Sequence, residues 1–139
     1  MYIGLDIGSV SCKAVLMSGD KQITQTRYRR MHGQPMETAL AVLDELQDRA
    51  PQPIAGIAVT GSGGGLVAVI LSCFSVNEII AQSRATALLH PEIRTVIEMG
   101  GEDAKLIRLE ADGGSSRLKD MAMNTVCAAG TGSFLDQQA

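Results

Sequence analysis

This chain of 139 residues has no tryptophan, and its only cysteines are Cys12, Cys73 and Cys127. An odd number of widely spaced cysteines fits neither a disulfide framework nor a C-x-x-C zinc site, and it implies a reduced compartment. No stretch approaches the roughly 18 to 20 consecutive apolar residues that a membrane-spanning helix needs. The N-terminus also lacks the positive segment and apolar core of a signal peptide, so a cytoplasmic location without membrane contact is expected. Excess charge of one sign is missing too: the formal net charge is −3, and Arg27, Arg29 and Arg30 are the main basic cluster. Those three read as a solvated strand end, and no nucleic-acid partner is expected. What remains is ordinary globular composition, 45% hydrophobic and 19% charged with a mean hydropathy of +0.13.

The strongest positive feature is a repetition: Asp6, Gly8, Ser9 and Lys13 recur 92 positions later as Glu98, Gly100, Gly101 and Lys105. Each set follows a strand-like apolar run and precedes another, so each reads as a β-hairpin turning on glycine. A carboxylate at a strand end followed by glycine suits phosphate. Glycine admits backbone N–H groups close to phosphate oxygens, and the acid can hold a metal ion, directly or through water. An acid-x-Gly turn alone is also simply a common turn. The register shared over four positions favours duplicated architecture, with two hairpins gripping a nucleotide tail.

Strands are expected at residues 2–7, 12–18 and 22–31, the last two joined at Ser18, Gly19 and Asp20. Apolar residues at helical spacing place a helix over 36–49, with Pro35 at its start and Pro51 beyond its end. A buried strand over 54–60 precedes a glycine loop at 61–65 and an unassigned apolar stretch at 66–74. A second helix follows over 77–89, capped by Asn77. Further strands at 94–99, 104–110 and 116–122 and a helix over 130–138 complete an α/β layer with a mixed sheet and helical cover. The expected division is a first lobe of residues 1–93 and the start of a second over 94–139. A second lobe of that length reads as truncated, which makes the chain an expected N-terminal piece of something longer.

Three segments carry a family resemblance: YIGLDIGS at 2–9, IEMGGEDAK at 97–105 and NTVCAAGTGSFLD at 124–136. Together they resemble the ATPase activators of 2-hydroxyacyl-CoA dehydratases and benzoyl-CoA reductases. The first two belong to the wider superfamily of acetate kinase, sugar kinases and actin, and imply a ribonuclease H-like, actin-type ATPase fold. The third narrows the resemblance to the activators. It implies ATP, Mg²⁺ and a [4Fe-4S] cluster shared across a homodimer, with Cys127 one of its ligands. A thiolate just before a helix start is favoured by the N-terminal N–H groups, although a lone cysteine is otherwise most often a buried hydrophobe. Cys12 and Cys73 match no such motif and are expected in the core.

The resemblance also assigns roles by position. Asp6 would orient Mg²⁺ and its water, and Gly8, Ser9 and Ser11 would contact phosphate. Gly100, Gly101 and Asp103 would form the opposite half of the clamp. Lys13 and Lys105 would neutralise phosphate oxygens; the plain alternative is two surface lysines. Glu78 would position or activate the attacking water, and it would equally suit a helix start as a favourable charge. The glycines at 61–65 resemble a Thr-Gly loop near the nucleotide, or else form a flexible connection. Ile79, Ile80, Ala81 and Gln82 stand where many activators carry Ile-Thr-Cys-His, and Glu98 and Glu102 where many carry Asp and Gln. Those choices resemble the long fused members of the family.

The implied activity is ATP-driven electron transfer, from a ferredoxin or flavodoxin donor through the cluster to an iron–sulfur dehydratase or reductase, with the shortened chain itself inactive. A sugar or acetate-type kinase would share both hairpins without needing the cysteine segment. A non-catalytic actin-like scaffold would keep the fold but not the acids at Asp6, Glu78 and Asp103.

Overall fold

β1 (Tyr2–Ile7) alternates strictly. Ile3, Leu5 and Ile7 are at most 3% exposed, while Tyr2, Gly4 and Asp6 face the other side. In a computed structural model that describes residues 1–113, 115–124 and 131–139, this strand is the centre of a mixed sheet. It pairs antiparallel with β2 (Ser11–Met17), which pairs antiparallel with β3 (Ile23–Arg30). On its other edge β1 runs parallel to β4 (Gly56–Thr60), and β4 runs parallel to the short β5 (Phe74–Ser75). The order is β3-β2-β1-β4-β5.

α1 (Pro35–Asp48) makes the crossover from β3 to β4. It starts on proline, whose missing N–H would have no helical partner there. Its buried residues Ala39, Val42, Leu43 and Leu46 recur at helical spacing and join Ile3, Leu5, Ile7, Cys12, Ala14, Leu16 and Val59 in one core. Cys12 lies inside that core and Cys73 packs against it, as expected for both. The basic cluster is not merely solvated: Arg27 and Arg29 on β3 both pair with Glu45 of α1 and tie the edge strand to the helix.

The apolar stretch after β4 forms α2 (Gly64–Leu71), whose first turn includes two residues of the glycine run. An all-apolar segment carries no period, so sequence could not separate helix from strand there. Ser72 ends α2 in the left-handed conformation, φ 51°, and its N–H donates to the Ala68 and Val69 carbonyls.

By contact the chain forms two compact units, Met1–Val76 and Asn77–Ala139. The second holds α3 (Glu78–Leu89), the antiparallel sheet β6 (Thr95–Met99), β7 (Ala104–Asp112) and β8 (Ser115–Met123), and α4 (Gly132–Gln138). α3, expected as the end of the first lobe, packs on β7 and β8. Asn77 caps it, its side-chain oxygen accepting from the N–H groups of Ile79 and Ile80 at 2.9 and 3.3 Å. Ile79, Ile107 and Leu109 are buried together, with Val96 and Leu118 against them. No helix among the described residues is long and apolar enough to cross a membrane.

Burial and surface charge predict very different losses. Leu46 is fully buried, so Leu46→Ala should cost about 3 kcal/mol of unfolding free energy. Glu45→Ala, which removes two half-buried ion pairs at the edge of the sheet, should cost less, about 1 kcal/mol. Urea unfolding of the two variants checks the ranking, and equal losses would contradict it.

Candidate functional site

The two repeated hairpins are built alike. Across β1 and β2, Asp6 faces Lys13, and Lys13 Nζ donates to Asp6 Oδ2 at 2.9 Å. Across β6 and β7, Glu98 faces Lys105, and Lys105 Nζ donates to Glu98 Oε2 at 2.9 Å. The turns match as well: the Gly8 N–H donates to the Ser11 carbonyl at 3.0 Å, and the Gly100 N–H to the Asp103 carbonyl at 2.8 Å. The repeat is therefore a shared three-dimensional device, an acid and a lysine paired across the strands beneath a turn closed on glycine.

In the first hairpin Ser9 is exposed at the turn, while Ser11 is buried at the start of β2. Asp6 divides its carboxylate. Oδ2 receives Lys13; Oδ1 is buried without a hydrogen-bond partner, as is Thr60 Oγ1 at the end of the neighbouring strand. Gly61, next along, has φ 91°. A Cβ there would lie 2.4 Å from the Ile7 carbonyl oxygen and 2.5 Å from Asp6 Oδ1, so only glycine allows this approach. The Gly63 N–H then donates to the Ile7 carbonyl at 2.8 Å, docking the start of α2 on the end of β1. The glycine run is thus a fitted backing for Asp6. Among the described residues no group of three or more His, Cys, Asp or Glu stands ready to hold a metal. A single carboxylate with a buried unpartnered oxygen nevertheless fits Mg²⁺, which commonly keeps several waters and takes one or two carboxylates beside substrate phosphates.

In the second hairpin the lysine is buried. The Lys105 side chain is 6% exposed, against 50% for Lys13, and three carboxylates surround it: Glu98 and Asp103 at 2.9 Å and Glu78 at 3.4 Å. Burial alone would lower its proton affinity, but hydrogen bonds to Asp103 and Glu98 and the charge of Glu78 outweigh it and hold the ammonium above the ordinary lysine range. Three of the sequence-read residues, Glu78, Asp103 and Lys105, are therefore gathered at one point with Glu98. Gly100 and Gly101 form the turn above them, their carbonyls accepting from the N–H groups of Gly132 and Ser133 at 2.9 and 3.2 Å. Thr131, fully buried, donates its hydroxyl to Gly101 O at 3.1 Å.

Cys127 lies outside the described residues. Burial pushes the thiols of Cys12 and Cys73 up, so both favour the neutral form. Sequence placed Thr60 only at a strand end, before the glycines that resemble a Thr-Gly loop; its pairing with Asp6 across β1 and β4 is a property of the fold.

The buried lysine cluster yields a stability prediction. Lys105→Met leaves three carboxylates facing one another and should cost about 3 kcal/mol or more. Because the folded pKa of Lys105 is raised, its contribution is fully present below the ordinary lysine pKa of about 10.4 and is lost only as pH rises further. Urea unfolding of wild type and Lys105→Met from neutral to strongly alkaline pH checks the size of the loss and its disappearance at high pH.

Sequence and structure comparisons agree on the relatives of this arrangement. The BadF/BadG/BcrA/BcrD ATPase family model matches residues 3–139. An activator of 2-hydroxyisocaproyl-CoA dehydratase from Clostridioides difficile is 34% identical over 100% of this chain and 52% of its own length. A solved structure of the activator of that dehydratase from Clostridium difficile, with bound ADPNP, superposes with a TM-score of 0.77 at 31% identity, over 98% of this chain and 50% of that one. Component A of the Acidaminococcus fermentans (R)-2-hydroxyglutaryl-CoA dehydratase gives 0.82 at 26% identity, over 97% and 51%. The chain spans about half the length of these relatives. The fold is the actin-type, ribonuclease H-like ATPase fold, and with the family model matched over nearly every residue, this chain belongs to the BadF/BadG/BcrA/BcrD ATPase family.

Proposed function

We propose that the protein is an ATP-hydrolysing activator, which drives low-potential electrons from a [4Fe-4S] cluster to a CoA-ester dehydratase or reductase. The observation that carries the nucleotide part is the pair of like-built hairpins, each an acid and a lysine beneath a glycine turn. The relatives, named as activators of such dehydratases, support the electron-transfer part.

In this reading Gly8, Ser9 and Ser11 on one hairpin, and Gly100 and Gly101 on the other, meet the phosphates of ATP. Lys13 and Lys105 offset phosphate charge. Mg²⁺, when bound, neutralises charge developing on the phosphates. Asp6 would hold it, directly or through water, by the carboxylate oxygen that Lys13 leaves unused. Glu78 stands at the first position of α3, fixed by the Asn77 cap and by Lys105. There it accepts the proton of the attacking water, and the bond that breaks joins the terminal phosphoryl group to ADP. Asp103 holds Lys105 and closes the turn through its own carbonyl.

Cys127 is the proposed cluster ligand, in a homodimer whose two copies share one cluster. The cluster would carry one electron at a time, taken from a reduced ferredoxin or flavodoxin and passed to an iron–sulfur partner enzyme.

Anaerobic purification of the protein beside its Cys127→Ser variant, with iron, sulfide and EPR measurements, tests this reading. About four irons per cluster and a reducible signal, both lost in the variant, are expected. No iron in either, with ATP hydrolysis retained, would refute the electron-transfer role and leave a kinase or scaffold. No nucleotide binding in the wild type would refute the ATPase role as well.

A further inference from the structure

Lys13, Asp6 and Thr60 form one row across β2, β1 and β4. Partners in a ladder project to the same face, so these three side chains line up at the end of β1. This end is chemically privileged. β1 and β4 are parallel, and from β1 the order runs to β2 and β3 on one side and to β4 and β5 on the other. The carboxyl ends of parallel strands at such a reversal are where open α/β sheets bind ligands.

Within the row the polar groups are unevenly satisfied. Lys13 occupies Asp6 Oδ2, while Asp6 Oδ1 and Thr60 Oγ1 are both buried without a hydrogen-bond partner. A buried hydroxyl and a buried carboxylate oxygen ordinarily each find a partner, and leaving both unpaired is costly. The local backbone helps to keep that arrangement. Gly61 closes on Asp6 Oδ1 and the Ile7 carbonyl more tightly than any side chain would allow. Two unsatisfied oxygens on register partners of neighbouring strands, one of them anionic, do not suit a phosphate oxygen, which the carboxylate repels. They suit the water shell of a divalent cation, whose O–H groups can donate to both.

We propose that Thr60 is a positioning residue for hydrated Mg²⁺, its hydroxyl acting with Asp6 Oδ1 on the cation's waters, so that this hairpin discriminates metal-bound from metal-free nucleotide. The inference rests on the nucleotide-binding reading given above. Thr60→Val keeps the shape and removes the hydroxyl; Thr60→Ser keeps the hydroxyl and removes the methyl group.

Calorimetric titration with ADPNP, once in excess Mg²⁺ and once in EDTA, separates the outcomes, with thermal melts of each variant alongside. For Thr60→Val the Mg²⁺-dependent affinity should fall about 10-fold, the affinity in EDTA should match wild type, and the melting temperature should be equal or higher because an unsatisfied buried hydroxyl is gone. Thr60→Ser should restore the Mg²⁺-dependent affinity. The proposal is overturned if Thr60→Val binds Mg·ADPNP like wild type, if it weakens both forms equally, or if Thr60→Ser fails as Thr60→Val does. A Thr60→Val protein that does not fold would contradict the expected melt, and Thr60→Ser would still report on the hydroxyl. Wild type binding ADPNP equally with and without Mg²⁺ would overturn this inference alone, whereas wild type binding no ADPNP in either condition would bring down the nucleotide reading itself.

Discussion

The pairing of β1 with its two neighbours is the constraint on which the first unit depends. Burial of Ile3, Leu5 and Ile7 against α1 and α2 fixes which face of β1 is inside, and therefore turns Asp6 to the other face. A slip of one residue would exchange the two faces, putting a carboxylate into an apolar core. The three apolar residues contribute roughly 1.5–3 kcal/mol each, far more than the exposed Asp6–Lys13 pair at about 0–1 kcal/mol. The hydrophobic core thus sets the register, and the site inherits it. The antiparallel neighbour supplies Lys13, and the parallel one supplies Thr60 and the glycines behind Asp6.

The second hairpin repeats the acid, the lysine and the turn in a different dielectric setting. Lys13 is half exposed, so water solvates much of its charge beside its pair with Asp6. Lys105 is buried, and an ammonium withdrawn from water carries a desolvation penalty of several kcal/mol that a single ion pair seldom repays. Glu98, Asp103 and Glu78 together make up the difference. Glu78 comes from α3, so the cluster also ties that helix to β7. In a unit whose apolar cluster is small, this polar junction takes on a structural role that the first hairpin leaves to its core.

Much of this was legible in the sequence, for identifiable reasons. β1, β2 and β3 show alternation or glycine turns, and α1 shows a 3.6-residue period bracketed by prolines, so these elements fall within a residue or two of expectation. The four-position repeat pointed to two equivalent hairpins because chain-local chemistry, an acid before a glycine and a lysine after it, survives in the order of residues. α2 was not legible, since Leu66 to Leu71 are uniformly apolar and uniform patterns have no period. The packing of α3 on β7 and β8 depends on contacts that no local window contains. For Thr60 the resemblance to a Thr-Gly loop near the nucleotide was legible, but its place beside Asp6, 54 positions earlier in the chain, was not. The cysteine segment identified the family by its residues, while Cys127 itself falls outside the described structure.

The two lysines also differ in what it takes to redirect them. Moving Lys13 from Asp6 to a phosphate oxygen exchanges one exposed charge pair for another, a change of about 1 kcal/mol or less. Moving Lys105 means leaving three carboxylates in a site shielded from water, and losing one partner of a buried cluster costs about 3–5 kcal/mol. The arrival of an anion at the second hairpin would therefore have to be coupled to a rearrangement of Glu78, Glu98 or Asp103, whereas at the first it need not be. Two similar sequence patterns thus stand in opposite electrostatic settings: a half-exposed lysine paired with Asp6, and a buried one held by three carboxylates that join β6, β7 and α3.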